Sequence, residues 1–208
     1  MPKVLTQAEL ADFREKLADV ATRLFAERGR EGFTMRELAA ELGVSPMTPY
    51  RYFRDKDAIL AAVRARAFDQ FSQAMEDAFA LPGNSLEKSI AVCDAYAAFA
   101  FGKPSSYKLM FDLTQADACD YPDLVRAMGR ARATMTDYVH ALVKDGVFKG
   151  DPNVIGHVFW AALHGIVMLQ LAGQLDPACD FETIRQAAFA ALGEGFRVKH
   201  ELDLGGPE

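Results

Sequence analysis

The chain has 208 residues, 50% of them hydrophobic and 25% charged, with a formal net charge of -6 at pH 7. That size and apolar content allow a real core in one large or two small domains and exclude a disordered chain. The acidic balance excludes a molecule that is basic all over, yet the charge is uneven: residues 1–66 carry twelve Lys or Arg against ten Asp or Glu, and residues 67–208 carry eleven against nineteen.

Cys93, Cys119 and Cys179 are odd in number and widely spaced. They suit neither a disulfide framework nor a zinc finger and read as reduced thiols. The first residues, MPKVLTQAELADF, lack the apolar stretch of a signal peptide. No run approaches ~18 uninterrupted apolar residues, so a cytoplasmic protein without membrane contact is expected.

Nearly every segment carries a helical period, which predicts an all-α fold. Thr6 with Glu9 has capping-box spacing ahead of Phe13, Leu17, Val20, Ala21, Leu24 and Phe25, so a first helix with one apolar stripe is expected from about residue 7 to Arg28. Thr34 with Glu37 repeats that spacing before Met35, Leu38, Ala39 and Leu42, on a helix of about two turns. Gly43 then stands where a left-handed helix stop is wanted, and Ser45 can cap a third helix. Pro46 suits the first helical position, but Pro49 lacks the N–H that should bond the Ser45 carbonyl. With Thr48 as a second cap and Pro49 in a first turn, the chain would instead start through a tight turn before Tyr50–Phe53. Two short helices joined by a glycine turn are the helix-turn-helix pattern. Asp55 caps a fourth helix, about 55–79, whose stripe from Ile59 to Met75 is longer than three small helices can cover. After LPGNS at Leu81–Ser85, with Ser85 as a cap, further helices are expected to start near Ser85, Pro104, Pro122, Pro152 and Asp180. The tail from Leu204 is expected to fray.

The run LADVATRLFAERGREGFTMRELAAELGVSPMTPYRYFRDKDAILAAV, residues 17–63, resembles the DNA-binding domain of the TetR (tetracycline-repressor-like) family of bacterial regulators. It carries LF-AERG, T-x-R-x-x-A, the GVS turn and Y-x-YF in that family's spacing. PSSYKLMF and WAALHGIVMLQLAG resemble the ligand-binding half of its Trp-His-Gly subgroup. The resemblance implies an N-terminal three-helix helix-turn-helix domain over 1–56, joined by the fourth helix to an all-helical ligand-binding and dimerisation domain over 57–203, with a tail over 204–208. It implies a homodimer on palindromic double-stranded operator DNA, most simply a repressor released by a small hydrophobic or aromatic effector.

By carry-over from the family motif, Pro46, Met47, Thr48 and Tyr50 are candidates for base edges, and Arg36 for a guanine. Thr34, Tyr50, Tyr52 and Lys56 are the phosphate candidates, and Arg51 suits either task. Outside such a motif an isolated Arg or Lys is ordinarily a solvated surface charge. Phe53 reads as core. Family members commonly carry an aliphatic residue where this chain has Pro49.

In the larger half, Tyr96, Phe99, Tyr107, Met110, Phe111, Trp160, His164 and Met168 are the candidate ligand-cavity residues, although aromatics at helical spacing are more often core. Trp160 and His164 lie one turn apart on one face and can supply a polar handle. His157 and His164 have no carboxylate or thiolate at ligand spacing, so no metal or cofactor is expected. The last two helices, about 151–171 and 180–199, mix small residues with Ile155, Val158, Phe159, Ile166, Leu169, Ile184, Ala188, Ala191 and Leu192, as a seam between two copies would. No Gly-rich phosphate loop, His-Glu metal motif or nucleophile elbow appears, so an enzyme is not expected. The alternative reading is a ligand-responsive interaction protein whose head has lost DNA binding.

Overall fold

The computed structural model describes residues 7–112 and 118–198, and of residues 7–11 the backbone alone. Its α-helices are α1 (Gln7–Arg28), α2 (Met35–Glu41), α3 (Lys56–Phe79), α4 (Ser85–Gly102), α5 (Pro104–Met110), α6 (Pro122–Lys144), α7 (Pro152–Leu171) and α8 (Phe181–Phe196). Single 3-10 turns lie at Pro49–Arg51 and Ala118–Asp120. Among the described residues there is no strand, only an isolated antiparallel bridge between Phe148 and Arg197.

The helices start where local chemistry satisfies their free N–H groups. Thr34 Oγ1 accepts from the Glu37 N–H at 3.2 Å while the Glu37 carboxylate accepts from the Thr34 N–H at 2.7 Å, completing the expected capping box. Asp55 caps α3 by accepting from the Ala58 N–H at 2.8 Å. Asp151 and Asp180 cap α7 and α8. Ahead of α4 the cap is Asn84 and not Ser85: Asn84 Oδ1 accepts from the N–H groups of Leu86 and Glu87, both at 3.0 Å. A side-chain amide one residue earlier reaches both donors, so Ser85 becomes the first helical residue. Pro104, Pro122 and Pro152 occupy first helical positions, where a missing N–H costs little. The Thr6–Glu9 capping box lies outside the described residues.

The described residues form two compact units, one from 7–74, 98–112 and 118–131, the other from 75–97 and 132–198. In the first, Leu17, Ala21, Leu24, Phe25, Phe33, Leu38, Ile59 and Val63 form one buried cluster, with the rings of Phe25 and Phe33 edge to face at 4.8 Å. Helix α5 packs on α1, and its Leu109 joins the same cluster. The core of this unit takes in residues of α3 and α5 as well as of α1 and α2.

In the second unit, Cys93, Tyr96, Tyr138, Leu142, Ile155, Phe159, Leu163 and Val167 are buried. Gly156 lets α7 approach α6 closely: a Cβ there would lie 2.9 Å from the Met135 carbonyl oxygen. Helix α7, with mean hydropathy 1.6, is long and apolar enough to cross a membrane by length and composition, and Ile155, Phe159, Leu163, Ile166 and Val167 form its buried flank. Helix α8 ends at Phe196, short of the expected Lys199, because Arg197 turns extended. There the Lys149 N–H donates to the Phe196 carbonyl at 2.8 Å and the Val198 N–H to the Val147 carbonyl at 3.2 Å.

Candidate functional site

The turn after α2 is a Schellman motif. Gly43 has φ +67°, its N–H donates to Ala40, and the Val44 N–H donates to Ala39, both at 3.0 Å. Only a residue tolerant of the left-handed region fits there.

The third element of the head is two linked tight turns and not the α-helix expected from Ser45. The Ser45 carbonyl accepts from the Thr48 N–H at 2.9 Å, and the Thr48 carbonyl from the Arg51 N–H at 3.1 Å. The physical reason is Pro49, which has no N–H to offer Ser45 four residues back, so the nearer donor takes its place. Thr48 does stand before the 3-10 turn, but its hydroxyl makes no cap and lies 3.3 Å from Ser45 Oγ. Pro49 itself is buried, so its ring fills the apolar position that an aliphatic residue commonly holds in the family.

The nine candidate DNA residues fall into two groups. Arg36, Pro46, Met47, Tyr50 and Arg51 are exposed, with Met47 at 65% and Tyr50 at 49%. The others are at least partly committed to the head itself. Thr34 sits in the capping box, where its hydroxyl and N–H hold the Glu37 carboxyl below its ordinary pKa. Lys56 Nζ donates to the Phe33 carbonyl at 2.7 Å and stands 4.8 Å over the Phe33 ring. Half-buried Tyr52 packs its ring 5.2 Å from Phe13, and Thr48 is half-buried.

Ion pairing sorts the arginines the same way. Arg23 bonds Glu41, Arg54 bonds Asp55 at 2.7 Å, and Arg66 bonds Glu15 and Asp19. Arg30 grips Asp57 with both prongs of its guanidinium, at 2.5 and 2.6 Å, which holds the Asp57 carboxyl below its usual range. Among the described residues, Arg36 and Arg51 show no such pair, and both point their charge to solvent where an anion can meet it.

The eight candidate ligand residues are divided between the units. In the first, Tyr107 and Met110 are buried, Phe99 is 7% exposed, and Phe111 packs edge on against Tyr107 at 5.1 Å. In the second, Trp160 Nε1 donates to the Tyr96 hydroxyl at 3.2 Å, and that oxygen lies 3.3 Å from His164 Nδ1. Burial pushes the His164 pKa down. Met168 is half-buried. The second unit also has a cavity walled by Phe148, Phe159, Phe189 and Arg185, which contains none of the eight. Its periodic traces in the sequence are Leu86, Ser89, Ile90 and Cys93, at helical three- and four-residue spacing, and Arg185, Phe189, Gly193 and Arg197, four residues apart.

Residues 17–63 match the model for bacterial regulatory proteins of the tetR family. Residues 89–192, half of the chain, match that for a tetracyclin repressor-like C-terminal domain. An uncharacterized HTH-type transcriptional regulator of Mycobacterium tuberculosis is 24% identical over 164 residues, covering 78% of this chain and 72% of the relative. An HTH-type transcriptional regulator of Staphylococcus aureus (strain USA300) is 38% identical over 58 residues, 28% of this chain and 31% of the relative. Among solved structures, a protein of unknown function from Rhodococcus sp. RHA1 superposes with a TM-score of 0.78 at 26% identity, over 95% of this chain and all (100%) of that one. A TetR family transcription regulator from Marinobacter aquaeolei VT8, at 20% identity over 93% of this chain and 100% of its own, shares the fold with a TM-score of 0.73. With its helix-turn-helix head and the match over half its length, the chain belongs to the TetR family of DNA-binding transcription regulators.

Proposed function

We propose that the chain is a homodimeric repressor of a palindromic operator, released when a small hydrophobic effector binds its second unit. The observation that carries the DNA half of this reading is the exposed group Arg36, Pro46, Met47, Tyr50 and Arg51, whose two guanidinium groups have no ion pair among the described residues. Arg36 can read a guanine with its planar fork, and Pro46 and Met47 offer apolar surface to a thymine methyl. Tyr50 and Arg51 hold phosphates, while Thr34, Thr48, Tyr52 and Lys56 fix the backbone that presents the others and add phosphate contacts at its edge.

Support for the dimer comes from the outward faces of the last two helices, where Val154, Ala161, Leu169, Ala187, Ala190 and Ala191 are exposed. Small and apolar side chains of this kind let two copies pack helix against helix. Two heads so joined would enter successive major grooves ~34 Å apart. Effector binding would favour a conformer with the heads off that spacing, acting through α3, which contributes residues to both units.

Selection of bound fragments from a random duplex pool, at two salt concentrations, tests the reading. An enriched palindrome whose binding weakens with salt is the expected result. No enrichment from a folded dimer would overturn it in favour of an interaction protein without DNA binding.

A further inference from the structure

The second unit encloses a cavity of about 170 Å³ beneath the inner face of α8. An apolar void of roughly 150 Å³ accommodates a benzene ring, so this one has room for a single aromatic ring. Its walls are suited to one. Phe148 and Phe159 stack at 5.7 Å with their planes 14° apart, and Phe189 stands edge on to Phe159 at 5.2 Å. Rings in these arrangements leave faces and edges to which a further ring can pack.

The polar groups around the cavity differ in what they still have to offer. Burial pushes the Cys93 thiol up to about 12 and raises the Tyr138 hydroxyl as well, so both line the cavity in neutral form. Arg185 is charge-balanced: it bonds Glu182 through Nε at 2.8 Å and Nη2 at 2.7 Å, and Asp94 through Nη1 at 2.9 Å. Arg197 lines the same cavity where α8 gives way to the bridge with Phe148, is exposed, and has no ion pair among the described residues. Leu86 and Ile90, 45% and 51% exposed, also line it and place the opening at the solvent surface. An apolar chamber with an uncommitted cation at its solvent side matches a molecule with a ring at one end and a negative charge at the other.

We infer that this cavity binds a one-ring aromatic monocarboxylate, the ring lying among Phe148, Phe159 and Phe189 and the carboxylate meeting Arg197. In naming an effector class the inference rests on the regulator reading, but the binding event is separable from it. No covalent step is involved. Gly193 offers a means of filling the chamber, because it lines the cavity and an added Cβ there meets nothing within 4 Å.

The experiment is calorimetric titration of the full chain with benzoate and with neutral benzamide. The acid is expected to bind at least about tenfold more tightly, the weight of one charge-assisted contact. Arg197→Gln should erase that preference, and Gly193→Leu should abolish binding of both. Arg197 is exposed, so its variant tests the inference even if the leucine disturbs folding. No saturable binding of benzoate, equal affinity for acid and amide, or unchanged preference in Arg197→Gln would each overturn it. Operator selection separates the two ideas: a protein that enriches a palindrome but does not bind benzoate defeats this inference alone. A protein that binds benzoate with the expected preference but enriches no DNA defeats the regulator reading alone.

Discussion

Arg64 is 8% exposed, yet among the described residues its Nε has no partner and its Nη2 reaches only the Met110 carbonyl, at 3.3 Å. Burial pushes its pKa down, with Asp112 partly opposing that, but a guanidinium keeps its proton in any folded protein. A charge so poorly compensated opposes folding. Arg64→Met, which keeps the length and removes the charge, should therefore stabilise the chain by about 1–4 kcal/mol in denaturant titration; a lower midpoint would show that the cation contributes more than it costs. His164 has the reverse relation to pH. Its folded-state pKa lies below the ordinary 6.5 because burial disfavours the charged ring. The unfolded chain thus binds the proton first, and its contribution is complete above about 6.5 and lost as pH falls through the folded-state value. Carboxylates held low, such as Asp57 and Asp69, act below their own usual range and not in this window. Melting temperature should decline as pH is lowered from 7 toward 5 (~2 units spanning the ordinary His range), and His164→Gln should flatten that decline. The shared face of Trp160 and His164 was legible from a four-residue spacing. That both meet the hydroxyl of Tyr96, another of the candidate residues, was not legible, since it lies on a different helix and no local pattern marks the pairing.

At the scale of elements, what could be read was whatever local chemistry decides. Helix starts at Pro104, Pro122 and Pro152 and after Asp180 follow from a ring or a carboxylate within one turn. The turn at Pro49 was half legible: a missing N–H forbids one bond, but the sequence does not say which donor the Ser45 carbonyl takes instead. Restoring the donor should restore the helix. In Pro49→Leu the residue keeps an apolar body and gains an N–H, so that amide should show hydrogen-exchange protection and the bases selected opposite Met47 and Tyr50 should change. An amide exchanging at the unprotected rate would show that the tight turns are held by their surroundings and not by the proline. The cavity beneath α8 was the least legible feature, because Phe148, Phe159 and Phe189 come from a loop and two helices, each of which reads as ordinary core.

For the whole molecule, the exposed face of α7 leads to a prediction about assembly. Leu169 is 47% exposed on α7, a helix whose other flank is core. If that outward face joins two copies, sedimentation should give twice the 22.9 kDa of the chain. Leu169→Lys should then yield a folded monomer with weak, strongly concentration-dependent operator binding. A dimer that survives the lysine would place the seam elsewhere.

The docking of α5 on α1 bears on inheritance. Leu109 completes the core around Leu24 and Ile59, but it reaches that core from a stretch separated in the chain by residues 75–97, which belong to the other unit. A single genetic crossover after α3 would hand a new host the helix-turn-helix head without the leucine that seals its interior, and the graft would begin life with an uncovered apolar face. This head should therefore transfer only to a recipient that supplies an equivalent of α5, so chimeras should succeed according to that helix more than to similarity at the junction.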